Sequence, residues 1–427
     1  MTDGKSGMTR GQMLLIFGFV FLDVLGFSLV LPILPFLLPE GDPLESPVSL
    51  GSLFTCNALA QFVAAPLVGH FSDHYGRRPL LLLCLLGTAV SFAWLAVARS
   101  WWEVLASRVL DGLLGGNISL AQAYIADVTS DRDRTRGMGL IGAAFGVGFT
   151  VGPALGGLSS ALFGYRFPVA VAAALSCLNL LLVWTSLPES LPLSNLSSSN
   201  SASPASSSST TPSPDVHPSA FTPRSLAAVV ARPLADVLGA MADPPLARLL
   251  AAKFALGSCL VLFETSFGLS NGLRFSLEPR HSSYLMSLVG ISFSLVQGLG
   301  AARLVALLRS EALLVLLCFL TLALSLLAMG SVSSVPLLVA ALVPMSLCLG
   351  TLNTVLSSMI SKTQAAGGRS GEVLGITSSI GSLTRILCPL VSTSSMANIS
   401  HTAPFLFASV LAFASIFIPY GSKSKPI

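Results

Sequence analysis

The chain has 427 residues, of which 53% are hydrophobic and only 10% are charged. A soluble protein of this composition would have too few polar side chains to cover its surface, so the composition excludes an ordinary soluble domain and fits a lipid environment. The formal net charge of +4 is small and spread along the chain, which argues against a nucleic-acid partner.

Apolar runs of about 20 residues recur along the chain, the length that crosses a hydrocarbon core of about 30 Å at about 1.5 Å per residue. The first run is too long for the apolar region of a cleaved signal peptide, and no small-residue cleavage site follows it. Each half of the chain supplies six runs, which predicts an all-α membrane protein. The predicted spans are residues 13–38, 50–71, 79–98, 104–124, 137–162, 167–187, 249–269, 284–304, 312–329, 335–360, 371–391 and 404–418.

The composition changes sharply between the two sets of six runs. Residues 193–223 are nearly all Ser, Pro, Thr and Ala, which bury little apolar surface and predict disorder. Residues 226–242 are moderately apolar but interrupted by Arg232, Pro233 and Asp236, which favours an amphipathic segment on the membrane surface over a thirteenth span. The predicted domains are a six-helix bundle at 1–187, a linker at 188–246 and a second six-helix bundle at 247–427.

Lysine and arginine residues are concentrated in the loops on one side of the predicted membrane, and the basic side of a membrane protein is its cytosolic side. We therefore expect both termini and the linker to be cytosolic. No sorting signal is recognisable, which leaves the plasma membrane and vacuolar or lysosomal membranes open. The basic residues of this side are Lys5, Arg10, Arg77, Arg78, Arg132, Arg134, Arg136, Arg303, Arg309, Lys362, Arg369, Lys423 and Lys425.

A single carboxylate, Asp23, lies within the first apolar run. A carboxylate at membrane depth must be protonated or paired to be tolerated, so Asp23 is a candidate functional group. Together with Gly26 and the Leu-Pro-Ile-Leu-Pro segment at 31–35, it resembles the first helix of tetracycline:proton antiporters and their eukaryotic relatives. That resemblance implies proton or substrate binding by Asp23. The alternative is a carboxylate near the cytosolic end, held by Arg108 or by a backbone amide.

The short loop between the second and third runs reads GHFSDHYGRRP at residues 69–79. Its glycines permit close helix packing and a tight reversal, and its aspartate can cap or pair at the helix end. The loop resembles the signature loop of the major facilitator superfamily, which implies twelve transmembrane helices in two six-helix bundles. A basic turn that only sets the topology is the alternative. In the family this loop latches the two halves on the cytosolic side, a role that the resemblance assigns to Gly69, Asp73, Gly76, Arg77 and Arg78.

The fourth run contains the sequence RVLDGLLGGN, in which Arg108, Gly112 and Gly116 repeat every four residues and are predicted to share a helix face. An arginine at membrane depth faces a cavity or a partner, and Asp111 is the nearest candidate partner. The sequence resembles the fourth-helix motif of the same superfamily, whose arginine is linked to proton coupling. A buried Arg108–Asp111 pair that only holds the helix is the alternative.

Within the fifth run, residues 142–157 combine glycines four apart with one proline. Such glycines form a smooth seam for close helix packing, and a proline inside a helix bends it. The spacing resembles the antiporter motif of the drug:proton exchanger branch, which implies exchange; a plain packing seam is the other interpretation. The positions that carry the resemblance are Gly148, Gly152, Pro153, Gly156 and Gly157.

Asp127 ends the fourth run at a helix C-terminus, where a negative charge opposes the helix dipole. We therefore expect a cation such as Arg77 or Arg136 beside it. The superfamily has a matching aspartate in its cytosolic charge network. The neighbouring charges at 131–134 fit a solvated charge run.

The second half carries fewer motifs. Glu264 in the seventh run and Arg385 in the eleventh are charges at membrane depth, which face a cavity or each other. The second copy of the signature loop, at 297–303, lacks the aspartate and the Gly-Arg-Arg, which argues against a symmetric latch. The later acidic and histidine residues of the tetracycline exporters have no counterpart here.

These observations predict a secondary transporter of a small organic molecule that works by alternating access, with proton coupling through Asp23 and Arg108. Uptake of an organic anion through Arg108 and Arg385, and a non-transporting sensor on a transporter fold, stay open as alternatives. An enzyme is disfavoured because four of the five histidines lie outside the apolar runs, His70 lies at the end of the second run, and the seven cysteines lack metal-ligand spacing. Neither cofactor nor metal is therefore expected. The expected partners are the lipid bilayer, a small organic substrate and protons, and the fold can work as a monomer.

Overall fold

The structure, a computed structural model, describes residues 10–37, 47–129, 131–190, 239, 241, 243–296, 301–308, 310–365 and 370–418. Within these residues the regular secondary structure is entirely helical. The predicted linker at 193–223 lies outside them, as does the predicted surface segment at 226–242 apart from residues 239 and 241.

The first half of the chain forms the helices of the first six spans, which are largely apolar and therefore suited to lipid. The fourth span consists of two shorter helices, α4 and α5. The helices are α1 (Arg10–Val30), α2 (Pro47–Tyr75), α3 (Arg77–Val97), α4 (Trp101–Leu114), α5 (Asn117–Val128), α6 (Asp131–Phe163) and α7 (Arg166–Ser186).

The second half repeats this arrangement, and its second span, the eighth of the chain, is again described as two helices. Those two helices, α9 and α10, flank residues 297–300, which lie outside the described part. The helices are α8 (Pro244–Phe275), α9 (Pro279–Leu295), α10 (Ala301–Leu308), α11 (Glu311–Ser331), α12 (Val335–Ala365), α13 (Ser370–Asn398) and α14 (Ala403–Ile416).

Eight helices of the described residues are long and apolar enough to cross a membrane. Helix α3 illustrates why, because Leu83, Leu86, Val90 and Val97 lie on one exposed face at helical spacing. An exposed face this apolar is costly in water and favourable in lipid. The opposite face of α3 carries the fully buried Leu85 and packs into the protein. The exposed apolar surface is therefore the lipid-facing surface.

The buried apolar side chains form three clusters, which divide between the halves of the chain. Two clusters lie within residues 16–187, and the third lies within residues 246–412. The halves meet where α2 packs against α13 and where α6 packs against α9. The molecule therefore consists of two helical bundles that face each other along two helix pairs.

The prediction of a continuous fourth span is wrong, because the helix breaks at Gly115 and Gly116. Helix α2 approaches the break so closely that a Cβ atom at Gly116 would lie 2.8 Å from Val68 Cγ1. The carbonyl oxygen of Gly115 accepts a 2.8 Å hydrogen bond from the side-chain amide of Gln61. Gly116 therefore lies outside α4 and does not share its face with Arg108 as predicted.

Candidate functional site

A cavity with about 1110 Å³ of empty space lies between the two bundles. Its wall is mainly apolar and aromatic, and the charged lining residues are Asp23, Asp111, Glu264 and Arg385. A concave, largely apolar space with a few polar groups is typical of a site for a small organic molecule. The structure thus brings four of the five predicted coupling residues to one cavity, two from each half of the chain.

Asp23 lies on α1 and reaches the cavity opposite the break in the fourth span. Its Oδ1 atom accepts a 2.7 Å hydrogen bond from Nδ2 of Asn117, the first residue of α5. The same amide nitrogen lies 3.3 Å from Thr88 Oγ1 on α3. Among the described residues, no cation lies within 4.0 Å of the Asp23 carboxylate. The Asp23 carboxylate therefore accepts a hydrogen bond, but no described cation neutralises its charge. In particular, it forms no ion pair with Arg108.

Arg108 is enclosed behind the cavity wall and pairs with Asp111 on the same helix. Arg108 Nη1 lies 3.3 Å from Asp111 Oδ2, and Arg108 Nη2 donates a 3.0 Å hydrogen bond to Ser91 Oγ. The guanidinium also lies 5.1 Å from the centre of the Phe92 ring, within the range of a cation–π contact. Only 5% of Arg108 is exposed, and Asp111 rather than Arg108 lines the cavity. Arg108 is therefore the partner of a cavity-lining carboxylate and does not line the cavity itself.

Two amides of α2 hold the fourth span in place. Asn57 Nδ2 donates to the Arg108 carbonyl oxygen at 2.8 Å and to Asp111 Oδ2 at 3.3 Å. Gln61 binds the carbonyl at the helix break, as described above. Both amides therefore satisfy backbone carbonyl groups of the fourth span.

Glu264 on α8 and Arg385 on α13 line the same cavity from the second bundle and interact electrostatically. Within the described part of the chain, the two side chains form neither an ion pair shorter than 4.0 Å nor a hydrogen bond with each other. An acid and a base at membrane depth that share a cavity without closing on each other leave both charges available to a third group.

The loop between α2 and α3 turns at Gly76, whose φ of 98° is a conformation that side chains with a Cβ rarely adopt. The side chain of the next residue, Arg77, is largely buried and links α3 to α2 and α5. Its Nη2 atom lies 2.6 Å from Asp73 Oδ1, and its Nε atom lies 3.0 Å from Asp127 Oδ2. The cation beside Asp127 is therefore Arg77, while the side chain of Arg136 lies outside the described residues.

Glu189 and Ser190, which sequence analysis left in the linker, belong to this network. The Glu189 carboxylate accepts hydrogen bonds from the backbone N–H groups of Arg77 at 2.9 Å and Arg78 at 3.1 Å. It therefore occupies the N-terminus of α3, where a negative charge is favoured by the helix dipole. Ser190 Oγ donates a 3.1 Å hydrogen bond to Asp127 Oδ2. The Arg78 side chain instead contacts the carbonyl oxygen of Trp184.

The glycines of α6 pack against both bundles. A Cβ atom at Gly148 would lie 2.8 Å from Val24 Cγ1 of α1, and Cβ atoms at Gly152 and Gly156 would lie even closer to the following residues of α1. Pro153 lies inside this helix. Gly157 faces the other way, where a Cβ atom would lie 2.5 Å from Ser283 Cβ of α9. The motif is thus a packing seam, and it touches the bundle interface at Gly157.

The bundles are in contact at the end of the molecule away from the Gly76 loop. There a Cβ atom at Gly51 on α2 would lie 2.8 Å from the Pro389 carbonyl oxygen of α13. On the loop side, a Cβ atom at Gly69 on α2 or at Gly381 on α13 would meet no described atom within 4 Å. Among the described residues, the bundles are therefore in close contact at the far end, whereas these two glycines make no such contact on the side of the Gly76 loop.

A lysine that sequence analysis passed over lies inside the seventh span. Lys253 is the tenth residue of α8, and its Nζ atom donates a 2.6 Å hydrogen bond to Asn353 Oδ1 of α12. The available signal was the position of a charged side chain four residues into a largely apolar run. Asn117 carries no comparable signal in the sequence, because its partner Asp23 lies 94 residues away in the chain.

Residues 16–309 match a family model described as Major Facilitator Superfamily. The chain belongs to the major facilitator superfamily. It is 31% identical over 423 residues to the human (Homo sapiens) Major facilitator superfamily domain-containing protein 10, a match that covers 87% of this chain and 84% of that protein. It is also 42% identical over 175 residues to the Tetracycline resistance protein, class C, of Escherichia coli, covering 41% of this chain and 44% of that protein.

The solved structures include a similar one, the crystal structure of the human organic anion transporter MFSD10. Its TM-score is 0.70 at 29% sequence identity, and the match covers 96% of this chain and 100% of that chain. The predicted major facilitator fold, with two bundles of six transmembrane helices, is thereby confirmed. The chain is a multi-pass membrane transporter of small organic molecules and not an enzyme.

Proposed function

We propose that the chain is a proton-coupled transporter that works by alternating access, with Asp23 as the carboxylate that takes up and releases the proton. One observation carries this proposal: Asp23 opens onto the cavity between the bundles and has no cation within 4.0 Å among the described residues. A charged carboxylate at membrane depth is costly unless it is paired or solvated. Its protonation is therefore tied to what fills the cavity and to which side the cavity faces.

Alternating access is supported by the unequal packing of the two ends. The far end is closed by close contacts such as Gly51 against α13, whereas a Cβ atom at Gly69 or Gly381 on the loop side would meet no described atom within 4 Å. Rocking one bundle against the other would open the first set of contacts and close the second. Asp73, Arg77 and Asp127 lie at the end that would close, which gives the charge network a role in that movement.

A second candidate is transport of an organic anion. The cavity contains a cation, Arg385, that has no ion pair within 4.0 Å in the described part of the chain. The human relative is described as an organic anion transporter, and the tetracycline resistance protein matches over less than half of this chain. The sign of the substrate charge is therefore the first property to measure.

We further propose that the loop side is cytosolic, as its lysines and arginines indicate. Both termini and the linker would then be cytosolic, in the plasma membrane or in a vacuolar or lysosomal membrane. The proposed unit of function is a monomer with bundles at 1–187 and 247–427. A non-transporting sensor would share all of these features and differ only in lacking turnover.

The test uses purified full-length protein in liposomes that contain a trapped pH dye. Lipophilic cations and aromatic anions are added one at a time to wild type, Asp23→Asn and the matched control Asp243→Asn. Asparagine at position 23 keeps a group that can accept the Asn117 hydrogen bond but cannot carry a proton. Asp243 precedes α8 at an exposed position, and its side chain makes no capping hydrogen bond.

We expect at least one compound to drive proton movement through wild type and Asp243→Asn but not through Asp23→Asn. Saturable uptake of a labelled compound without proton movement would contradict coupling and favour a facilitator. Proton movement that persists in Asp23→Asn would remove Asp23 from the mechanism. If the folded protein shows neither proton movement nor saturable uptake of a labelled compound, the result would favour the sensor.

A further inference from the structure

A second cavity, with about 690 Å³ of empty space, lies inside the second bundle. Helices α8, α12 and α13 contribute to its wall, and two of its lining residues are the cations Lys253 and Arg385. None of the described residues that line it is acidic. Among the described residues, this space at membrane depth therefore contains two cations whose charge no lining carboxylate compensates.

Lys253 is held in position by neutral groups. Its Nζ atom donates to Asn353 Oδ1 at 2.6 Å, to Ser357 Oγ at 2.9 Å and to the Asn353 carbonyl oxygen at 3.4 Å. These contacts orient the ammonium group, and among the described residues no carboxylate forms an ion pair with it. The 3.4 Å contact is long for a hydrogen bond, so an anionic oxygen can replace it at small cost.

Arg385 connects this cavity with the one that contains Asp23. It lines both cavities, together with Val261 of α8, and Glu264 faces it only from the cavity between the bundles. A molecule in that cavity can therefore extend an acidic group past Arg385 toward Lys253. Glycine at positions 257 and 381 keeps part of the wall free of side chains.

We propose that Lys253 and Arg385 form a binding site for the acidic group of an amphipathic organic anion. The apolar part of the same molecule would lie against the apolar wall between the bundles. The inference rests on the proposed function, because it specifies the charge of the transported molecule and the residues that select it. Lys253 is a specificity-determining residue, since a neutral analogue of the same shape gains nothing from its charge.

Binding is measured with tritiated naphthalene-2-sulfonate and full-length protein in phosphatidylcholine nanodiscs. The sulfonate is a permanent aromatic anion, and naphthalene-2-sulfonamide is its neutral counterpart. The variants are Lys253→Gln, Arg385→Gln and the matched control Lys362→Gln. Lys362 is an exposed lysine of α12 that pairs with Glu311 outside both cavities.

We expect saturable binding to wild type and Lys362→Gln that unlabelled sulfonate displaces and the sulfonamide does not. Lys253→Gln and Arg385→Gln should each weaken binding by about tenfold or more, the effect of losing a charge-assisted hydrogen bond. Unchanged affinity in both variants, equal competition by the sulfonamide, or no saturable binding to folded wild type would each overturn the site. None of these results would affect compound-driven proton movement that depends on Asp23. The anion-binding site and proton coupling can therefore be refuted independently of each other.

A measurement on wild-type protein covers the case in which Lys253→Gln does not fold. An amine-acylating reagent is applied with and without the sulfonate, and modification is quantified at each lysine by mass spectrometry. The bound sulfonate should slow modification of Lys253 and leave Lys362 unaffected. Equal modification of Lys253 with and without the sulfonate would contradict the site.

Discussion

The side-chain amide of Asn117 donates a 2.7 Å hydrogen bond to the carboxylate of Asp23, across 94 residues of sequence. The contact exists because the fourth span breaks at Gly115 and Gly116, so that α5 starts with Asn117 facing α1. The break thus converts an ordinary interhelical amide into the direct partner of the carboxylate proposed to carry the proton. Asn117 is nearly fully buried, so the contact is shielded from bulk water.

We expect Asn117→Ala to lower substrate-driven proton flux by about tenfold or more, because a hydrogen bond to a charged group contributes about 1.5–3 kcal/mol. The measurement is the initial rate in dye-loaded liposomes, normalised to folded protein. Asn179→Ala is the control, since its amide donates a 3.0 Å hydrogen bond to the Phe19 carbonyl oxygen away from the cavity. That variant should lose thermal stability but keep its flux. Equal flux losses in the two variants would contradict a specific role for Asn117.

The Arg108–Asp111 pair gives a second prediction, which decides between proton coupling and helix support. Arg108→Gln alone should cost about 3–5 kcal/mol, because it leaves the Asp111 charge without its partner. Adding Asp111→Asn should restore most of the thermal stability and the proton flux, since Asp23 keeps its carboxyl group. A double variant that unfolds at the wild-type temperature yet moves no protons would assign the pair to coupling instead.

A third prediction concerns the contact between the bundles at the far end. A Cβ atom at Gly51 would overlap Thr393 and the Pro389 carbonyl oxygen of α13, so Gly51→Ala should push the bundles apart there. Spin labels on α2 and α13 should report a longer far-end distance in this variant. Gly268→Ala is the matched control, because a Cβ atom at that position meets no described atom within 4 Å. A far-end distance that stays at the wild-type value in Gly51→Ala would contradict the closed far end.

The fourth prediction compares the two arginines of the loop. Arg77 binds Asp73 and Asp127 through different guanidinium nitrogens, an arrangement that a lysine with its single nitrogen cannot reproduce. Arg77→Lys should therefore destabilise the protein by about 1–3 kcal/mol and slow transport. Arg78→Lys should be nearly neutral, because Arg78 makes one described side-chain contact, to a backbone carbonyl, that a lysine can retain. Thermal unfolding and flux assays compare the variants, and similar losses in both would argue against the network.

The architecture and the signature loop could be predicted from sequence because they depend on local signals, whereas Glu189 and Ser190 of the charge network could not. Apolar runs of the right length predict spans, and the positive φ of Gly76 follows from a tight reversal that leaves few alternatives to glycine. Asp23 was recognisable for the same reason, since a lone carboxylate in an apolar run stands out. These features need no knowledge of how distant helices pack.

The rest of the site depends on tertiary packing and could not be predicted from local sequence patterns. The break at Gly115 and Gly116 follows from the close approach of α2, and helical periodicity gave no sign of it. The pairing of Asp23 with Asn117 depends on that break. Lys253 was passed over because a single lysine near the start of an apolar run is equally compatible with a residue that reaches the membrane surface. Only the packing of α12 and α13 beside it reveals a cavity.

The most direct test of proton-coupled transport follows accumulation of the identified substrate in liposomes with an imposed pH gradient of either sign. Proton coupling through Asp23 predicts that wild type concentrates the substrate above its external level with one gradient and excludes it with the reversed one. Asp23→Asn should only equilibrate the substrate, whichever gradient is applied. Equilibration by wild type under both gradients would contradict the account and identify the protein as a facilitator.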